Sequence, residues 1–414
     1  MTMPNTLGPI AKQPADPGTP PACAPHHETA GMPAALARPV LFLGPLPPPH
    51  NGFSASNQRM VDRIRERAPV EVLDVSRRAT GKLSGLKALG NRARQLWRMS
   101  RLLAGDQRQR PHTLYLGLSG GFGQLLDAPF VALANLSGMD IYFHHHSFAY
   151  INRPSWYTRL IMRCAPRGRH LVLCDLMRTE LARIYRLAPG NVQVLSNLSL
   201  IDLPGTAAPS GTQAGTQAGT QAGTQAGAPS ESISIGFLSN ITAAKGIFTF
   251  FEVVRLAQEI GIPVCARIAG PVAPDIRARF DAELARTACV RYLGPVHGAP
   301  KEDFFRNIDV LMFPTTYHNE AAPLILLEAH SHGVPVIAHD RGCIGSMIDE
   351  LNGVLVPRDA DFAEAAIAYL RNMMLAGEQS DGRRTALLAH FHAERKRAET
   401  VLDNTVAAIS RGAA

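Results

Sequence analysis

Twice along this chain, short apolar runs alternate with helix-like stretches, and the second series starts only after a perfect tetrapeptide repeat. In the first series "PVLFLG", "HTLYLGLS", "DIYFHHHSF", "HLVLCD" and "VQVLSN" read as strands, with stretches such as "LMRTELARIYRL" between them reading as helices. The second series runs "SISIGFLS", "PVCARIAG", "VRYLG", "DVLMFPT" and "PVIAHD", again with helical patterns between. Alternation of this kind predicts parallel strands with helices on both faces of the sheet. A chain of 414 residues is also too long for one ordinary core. The expected fold class is therefore α/β, two doubly wound domains facing a cleft. Sheets of this type bind ligands at the carboxyl ends of their strands, which places the natural site in that cleft.

The repeat is GTQA, four times from Gly211, inside a tract rich in Pro, Gly, Ser and Thr. The unit is far too short to be a supersecondary repeat and cannot bury a core, so residues 204–231 are expected to be a flexible linker. A coil of about 25 residues spans only about 25–30 Å, and the halves it joins remain neighbours. The expected boundaries are a Pro/Ala/Gly-rich leader at 1–38, a first domain at 39–203 and a second at 232–385. A helix at 386–414 is expected to pack back on the first domain. The leader lacks the basic and apolar regions of a signal peptide, and no apolar run approaches the roughly 20 residues that span a bilayer. Six cysteines, Cys23, Cys164, Cys174, Cys265, Cys289 and Cys343, stand apart with no C-x-x-C pair. Their scatter argues for a reducing cytoplasm, and against a disulfide framework or structural zinc.

Composition gives a formal charge of +8, unevenly placed. Residues 77–110 hold ten Lys/Arg and one acid, interleaved with Leu83, Leu86, Leu89, Leu96, Trp97 and Leu102. A basic amphipathic helix here could lie on anionic lipid or hold a phosphorylated acceptor; the plainer reading is a solvated face whose leucines pack inward. No aromatic-basic nucleic-acid motif of known spacing appears, so nucleic acid is not expected as a partner. At the first strand–loop–helix, Ser54 or Ser56 is the expected helix cap.

The segment "NEAAPLILLEA" carries Glu320 and Glu328 around an apolar core. Proline suits the first turn of a helix, so Glu320 is expected in the loop before it and Glu328 inside it. Backbone N–H groups near Ala322, Leu324 and Ile325 would then offer a phosphate site at the helix start, beside Pro323. Helix rise would set the two glutamates about 10–12 Å apart. That is too far for the roughly 5–9.5 Å between a glycosidase's paired carboxyl groups. It suits the two ends of one elongated ligand with phosphates between them, as in a nucleotide sugar.

With "AHSHGVPVIAHDRGCIGSMI" and "NGVLVP" downstream and "IGFLSNITAAKGI" upstream, this E-x7-E resembles the C-terminal domain of the family 4 (GT4) retaining glycosyltransferases of GT-B fold. The resemblance covers nearly everything from Pro39 to about Leu370. It implies that 39–203 is an acceptor-side Rossmann-like domain and 232–385 the nucleotide-sugar domain. It implies that Glu320 lies against the donor sugar, Glu328 on the ribose hydroxyls and Lys245 on the diphosphate. In "GPLPPPHNGFS", Gly52 resembles the family glycine that lets backbone approach the donor phosphates. In "MDIYFHHHSF", His146 matches the family histidine near the donor sugar, with His144 on the same strand face as the alternative. Departures are Asn240, where many relatives carry arginine, and Ala321 and Ala322, where relatives carry glycine and a bulky residue.

The implied activity is metal-independent transfer of a sugar, with retention, from a UDP- or GDP-sugar to a glycan or lipid-linked acceptor. The setting it implies is cell-envelope polysaccharide or lipopolysaccharide assembly in the cytoplasm, with residues 77–110 a candidate contact to the inner membrane face. The one D-x-D, Asp359-Ala360-Asp361, reads as a helix cap and not as a metal motif. Two rival readings are a sugar-nucleotide epimerase of the same architecture and a catalytically silent membrane- or nucleic-acid-binding protein.

Overall fold

The computed structural model describes residues 38–48, 51–76, 84–107, 109–205, 232–376 and 380–411. Residues 1–37 of the expected leader, the GTQA repeats and residues 77–83 of the basic segment lie outside the described residues. The first half contains β1 (Val40–Gly44), α1 (Gly52–Arg65), β2 (Val70–Asp74), α2 (Ser84–Ala104), β3 (Thr113–Leu118) and α3 (Gly123–Leu136). It continues with β4 (Asp140–His145), α4 (Ala149–Asn152), α5 (Trp156–Arg163), β5 (Arg169–Val172), α6 (Asp175–Tyr185) and β6 (Val192–Val194). The second half contains β7 (Ile233–Leu238), α7 (Ile247–Glu259), β8 (Val264–Ala269), α8 (Arg277–Arg286), β9 (Val290–Tyr292) and α9 (Ala299–Arg306). It ends with β10 (Val310–Phe313), α10 (Leu324–Ser331), β11 (Val336–His339), β12 (Gly353–Val356), α11 (Phe362–Ala376) and α12 (Ser380–Arg411).

Each half forms a six-stranded sheet, ordered β2-β1-β3-β4-β5-β6 and β12-β11-β10-β7-β8-β9. Every neighbouring pair is parallel. The reason lies in the strands themselves: β1, β3 and β10 are buried along their whole length, as expected of strands covered on both faces. In the second sheet the order reverses between β7 and β10, so the loops leaving those two strands splay apart and open a crevice.

α12 ties the two halves together. Its Leu402, Val406 and Ile409 bury against Phe42 and Tyr115 of the first sheet, and Thr113 Oγ1 donates to the Ile409 carbonyl at 3.0 Å. Nearer its start, Phe391 packs with Leu327 of α10 and with Ile201.

Three sequence expectations need correction. The cysteines are not all unpaired: Cys174, at the start of α6, is bonded to Cys343 in the second half, with Cα atoms 5.8 Å apart. They lie 169 residues apart in sequence, and only the packing of one half on the other brings them together. The cap of α1 is Asn51, not Ser54 or Ser56: its side chain accepts from the Ser54 amide at 3.0 Å, and Ser54 Oγ closes the reciprocal box on the Asn51 amide at 3.1 Å. In α2 the expected inward leucine face holds only in part: Leu96 and Leu102 pack on the core, but polar residues share that face and other apolar ones turn outward. Arg92 turns in to Asp127, Asn91 donates to the Asp74 carbonyl and Met99 and Leu103 are buried. Leu86, Leu89 and Trp97 stand exposed, at 73%, 56% and 60%. Asp361 behaves as read: its Oδ1 accepts from the Ala363 and Glu364 amides at the start of α11.

Candidate active site

The crevice between β7 and β10 holds a cavity of about 400 Å³. The loop after β7 supplies Ser239, Asn240 and Lys245; the start of α10 supplies Pro323, Leu324 and Ile325; α10 itself supplies Glu328. The opposite wall comes from the first half, through Asn51, Gly52, Ala55 and Arg59. Two helix N-termini, those of α1 and α10, therefore look into one space. No side chain caps α10, and an uncapped N-terminus favours an anionic guest.

Lys245 owes its position to its neighbours. Thr242 Oγ1 accepts from the Lys245 amide at 3.2 Å. Gly246 follows at φ 83°, where a Cβ would come within 2.1 Å of the Pro314 carbonyl oxygen, so only glycine lets the loop sit against β10. The Lys245 ammonium lies over the Phe313 and Tyr317 rings, 5.4 and 5.0 Å from their centroids, and is ion-paired to Glu320. Thr315 Oγ1 also donates to that carboxylate, at 3.1 Å. Glu320 is thereby drawn back: it is buried and stands behind Lys245, not on the cavity wall.

Glu328 does line the cavity, and it too has a cation. Lys301 Nζ, on α9, donates to Glu328 Oε1 at 2.8 Å. Both cationic partners belong to the cavity wall, together with His297 and Arg59. The Arg59 guanidinium also reaches Asp202, at 2.5 Å.

His146 lies outside the wall as well. Its ring sits 5.1 Å from Phe53, the residue after Gly52, and 4.0 Å from the His144 ring. Burial pushes its pKa down to about 3, so the imidazole is neutral near pH 7, and its Nε2 has no protein partner. His144 Nδ1 is bonded to the Tyr115 hydroxyl at 2.5 Å, while its Nε2, like that of His146, has no protein partner. His146, packed on Phe53 beside Gly52, is the one next to the cavity wall. Ala322 is not on the cavity wall. Its carbonyl accepts from Asn197 Nδ2 of the first half at 3.0 Å, and it packs against that half's core, away from the cavity. Next to it, the Cys343 amide donates to the Ala321 carbonyl at 2.9 Å. Gly342, at φ 54°, presses so closely that a Cβ would sit 2.2 Å from the Glu320 carbonyl oxygen.

Sequence reasoning missed Lys301, Thr315, Arg59 and His297. Thr315, five residues before Glu320, was within reach of the motif. Lys301 carried no signal, since only the docking of α9 beside α10 brings it to Glu328.

Two parallel, doubly wound domains facing one cleft make this a GT-B fold. Solved structures agree over 89% of the chain. Anabaena Alr3699/HepE in complex with UDP matches with a TM-score of 0.61 at 14% identity, covering 99% of that chain. The apo form of the lipopolysaccharide outer core galactosyltransferase WaaB matches with 0.60 at 15%, also covering 99%. Residues 232–372, the second domain, match the family model described as Glycosyl transferases group 1. The D-inositol 3-phosphate glycosyltransferase of Geodermatophilus obscurus is 34% identical over 149 residues, 35% of this chain and 30% of that protein. Its counterpart in Saccharomonospora viridis is 28% identical over 218 residues, 49% of this chain and 47% of the relative. Less than half the length of either relative is matched. The solved structures share the fold, and the family match is confined to residues 232–372.

Proposed function

We propose that the protein is a family 4 glycosyltransferase that moves a hexose, with retention, from a nucleoside-diphosphate sugar to a glycan or lipid-linked acceptor. The observation that carries this reading is the convergence of Lys245, Glu328 and the N-termini of α1 and α10 on one cavity at the switch point of the second sheet. In it Glu328 takes the ribose hydroxyls, and the diphosphate lies across the start of α10 with Lys245 as its cation. Gly52 brings the α1 backbone in from the other side.

Glu320 and Lys245 are ion-paired. An arriving diphosphate competes for that ammonium, and the carboxylate it displaces is then free to turn to the sugar. Charge building on the departing diphosphate meets Lys245 and the helix amides, donors already in place before the reaction. His146, neutral and with an open Nε2, offers a hydrogen bond to a sugar hydroxyl and no charge. No divalent ion enters this scheme, so turnover should survive a chelator.

UDP-sugars are the first donors to try, because solved neighbours hold UDP and UDP-glucose; GDP-sugars are the alternative. Such donors are made in the cytoplasm, and we place the reaction there, in cell-envelope polysaccharide assembly. The exposed Leu86, Leu89 and Trp97 of α2, with Lys87, Arg94 and Arg101 beside them, suit a peripheral contact with anionic lipid. No helix among the described residues is long and apolar enough to cross a membrane.

The test is calorimetric titration with UDP, GDP and their sugars, repeated with Glu328→Ala. The reading predicts binding of one nucleotide and its loss in the variant. Undiminished binding in Glu328→Ala would refute the ribose assignment.

A further inference from the structure

A second and larger concavity, about 1120 Å³, lies wholly in the first half. It runs between α5 and α6. Arg159 and Arg163 rise from α5 on one side, Arg183 and Arg186 from the end of α6 on the other, and His170 and Met162 are among the residues beneath them. No aspartate or glutamate is among the lining residues. Arg183 is paired to Glu180, outside the groove, at 2.5 Å, and the Arg159 guanidinium lies over the Tyr185 ring at 5.8 Å. Arg163 and Arg186 have no ion pair among the described residues.

Two details set this groove apart from an ordinary basic surface. Arg186 has φ 56° and ψ 45°, the one non-glycine residue at positive φ among those described. That conformation is costly for a residue with a Cβ, and glycine is its usual occupant at a helix end. Here the position carries a guanidinium into the groove. Below it His170 is buried, with Nδ1 3.0 Å from His145 Nε2, while His145 Nδ1 lies 2.9 Å from the Tyr150 hydroxyl. Burial pushes the His170 pKa down to about 3, so the floor is neutral and polar and all the charge belongs to the arginines.

At one end the groove meets the loop that carries Glu320. Asn152, on its rim, donates to the His318 carbonyl there at 2.5 Å.

We propose that this groove binds a phosphate-bearing group, and that it holds the anionic part of the acceptor. The second half of that statement rests on the transferase reading; the first does not. Planar guanidinium forks suit phosphate oxygens, and the absence of lining acids leaves Arg163 and Arg186 available for them. A phosphorylated soluble saccharide and a lipid-linked phosphate share this chemistry.

The test uses inorganic pyrophosphate titrated calorimetrically into full-length protein already saturated with UDP, so that the donor cavity is blocked. Wild type should bind. The double variant Arg163→Glu, Arg186→Glu should bind roughly tenfold more weakly or worse, the loss expected when charged hydrogen bonds are removed. Both side chains are exposed and lie outside the donor cavity, so UDP affinity in the variant should match wild type and report an intact fold. Co-sedimentation with phosphatidylcholine vesicles, with and without phosphatidylglycerol, separates the two sources. Arginine-dependent adhesion to phosphatidylglycerol vesicles in addition to pyrophosphate binding identifies a lipid phosphate; pyrophosphate binding alone identifies a soluble one. Equal pyrophosphate affinity in wild type and variant would overturn the site. So would vesicle adhesion with no pyrophosphate binding, which would make the groove part of a flat anionic-lipid contact. If UDP does not bind wild type, the transferase reading falls while the pyrophosphate result still decides this one.

Discussion

In the second half, the cations at the mouth of the sheet already have their acids: Lys245 stands on Glu320 and Lys301 on Glu328. In the first half, Arg163 and Arg186 face a groove with no acid in its lining, and His144, His145 and His170 are buried and His146 half-buried, all with their pKa values lowered. One half must exchange partners to take a ligand, and the other presents unmatched charge above a neutral interior. The difference separates a site that reorganises when filled from one that is preset, and it also predicts which half is sensitive to acid.

Acid should give the largest effect. An unfolded histidine takes up a proton near its ordinary pKa of 6.5, while His146 and His170 stay neutral in the fold down to about 3. The unfolded chain therefore binds more protons below pH 6.5, and stability falls as pH drops through that window. Five histidines of the first half, His112, His144, His145, His146 and His170, are lowered by burial. The second half has three, His330, lowered to about 4, and His332 and His339. Thermal unfolding followed by hydrogen exchange across this range should show the first half opening first. Simultaneous loss of both halves would break the contrast.

Next comes the Cys174–Cys343 bond. It closes a loop of 169 residues in sequence, and on the chain-entropy account such a closure stabilises by about 5 kcal/mol. Both cysteines are buried, at 4% and 1% exposure, so a mild reductant should act slowly. Denaturant midpoints for Cys174→Ser with Cys343→Ser should fall well below wild type. An unchanged midpoint would mean that the packing of α12 and the Ala321–Ala322 segment already fixes the halves.

For Glu320→Gln, turnover should drop by about 10²-fold or more, the scale of a lost electrostatic contact in the transition state. Bare nucleotide should bind at least as well as before, because Lys245 is released. Glu328→Ala should instead weaken bare nucleotide by roughly 10–100-fold. A double-mutant cycle with Lys301→Met would show how much of that loss comes from leaving the lysine unpaired. Equal effects of the two glutamate substitutions on nucleotide affinity would erase the division of labour between them.

Much of this was legible in the sequence, for definite reasons. Parallel strands buried on both faces are continuous apolar runs, and β1, β3 and β10 announce themselves as such. Glu328 and Lys245 stand at fixed offsets from strand ends, where loop and helix geometry is local. Asn51 was legible in principle, since it stands three residues before Ser54, the spacing of a reciprocal capping box. What could not be read depends on distant segments meeting. Lys301 reaches Glu328 across two helices, Cys343 finds Cys174 only when the halves dock, and Arg92 turns inward because Asp127 awaits it on α3. That Ala322 turns its carbonyl to the first half was not legible either, because a motif gives order along the chain and does not say which side of a loop faces the neighbouring domain.

The sulfur–sulfur link has a mechanical corollary. Beside the Glu320 loop the lobes cannot separate, so any gaping of the cleft must be a pivot about that point, with travel growing with distance from it. The residues nearest the pivot, Ala321 among them, would keep their registry through such a swing.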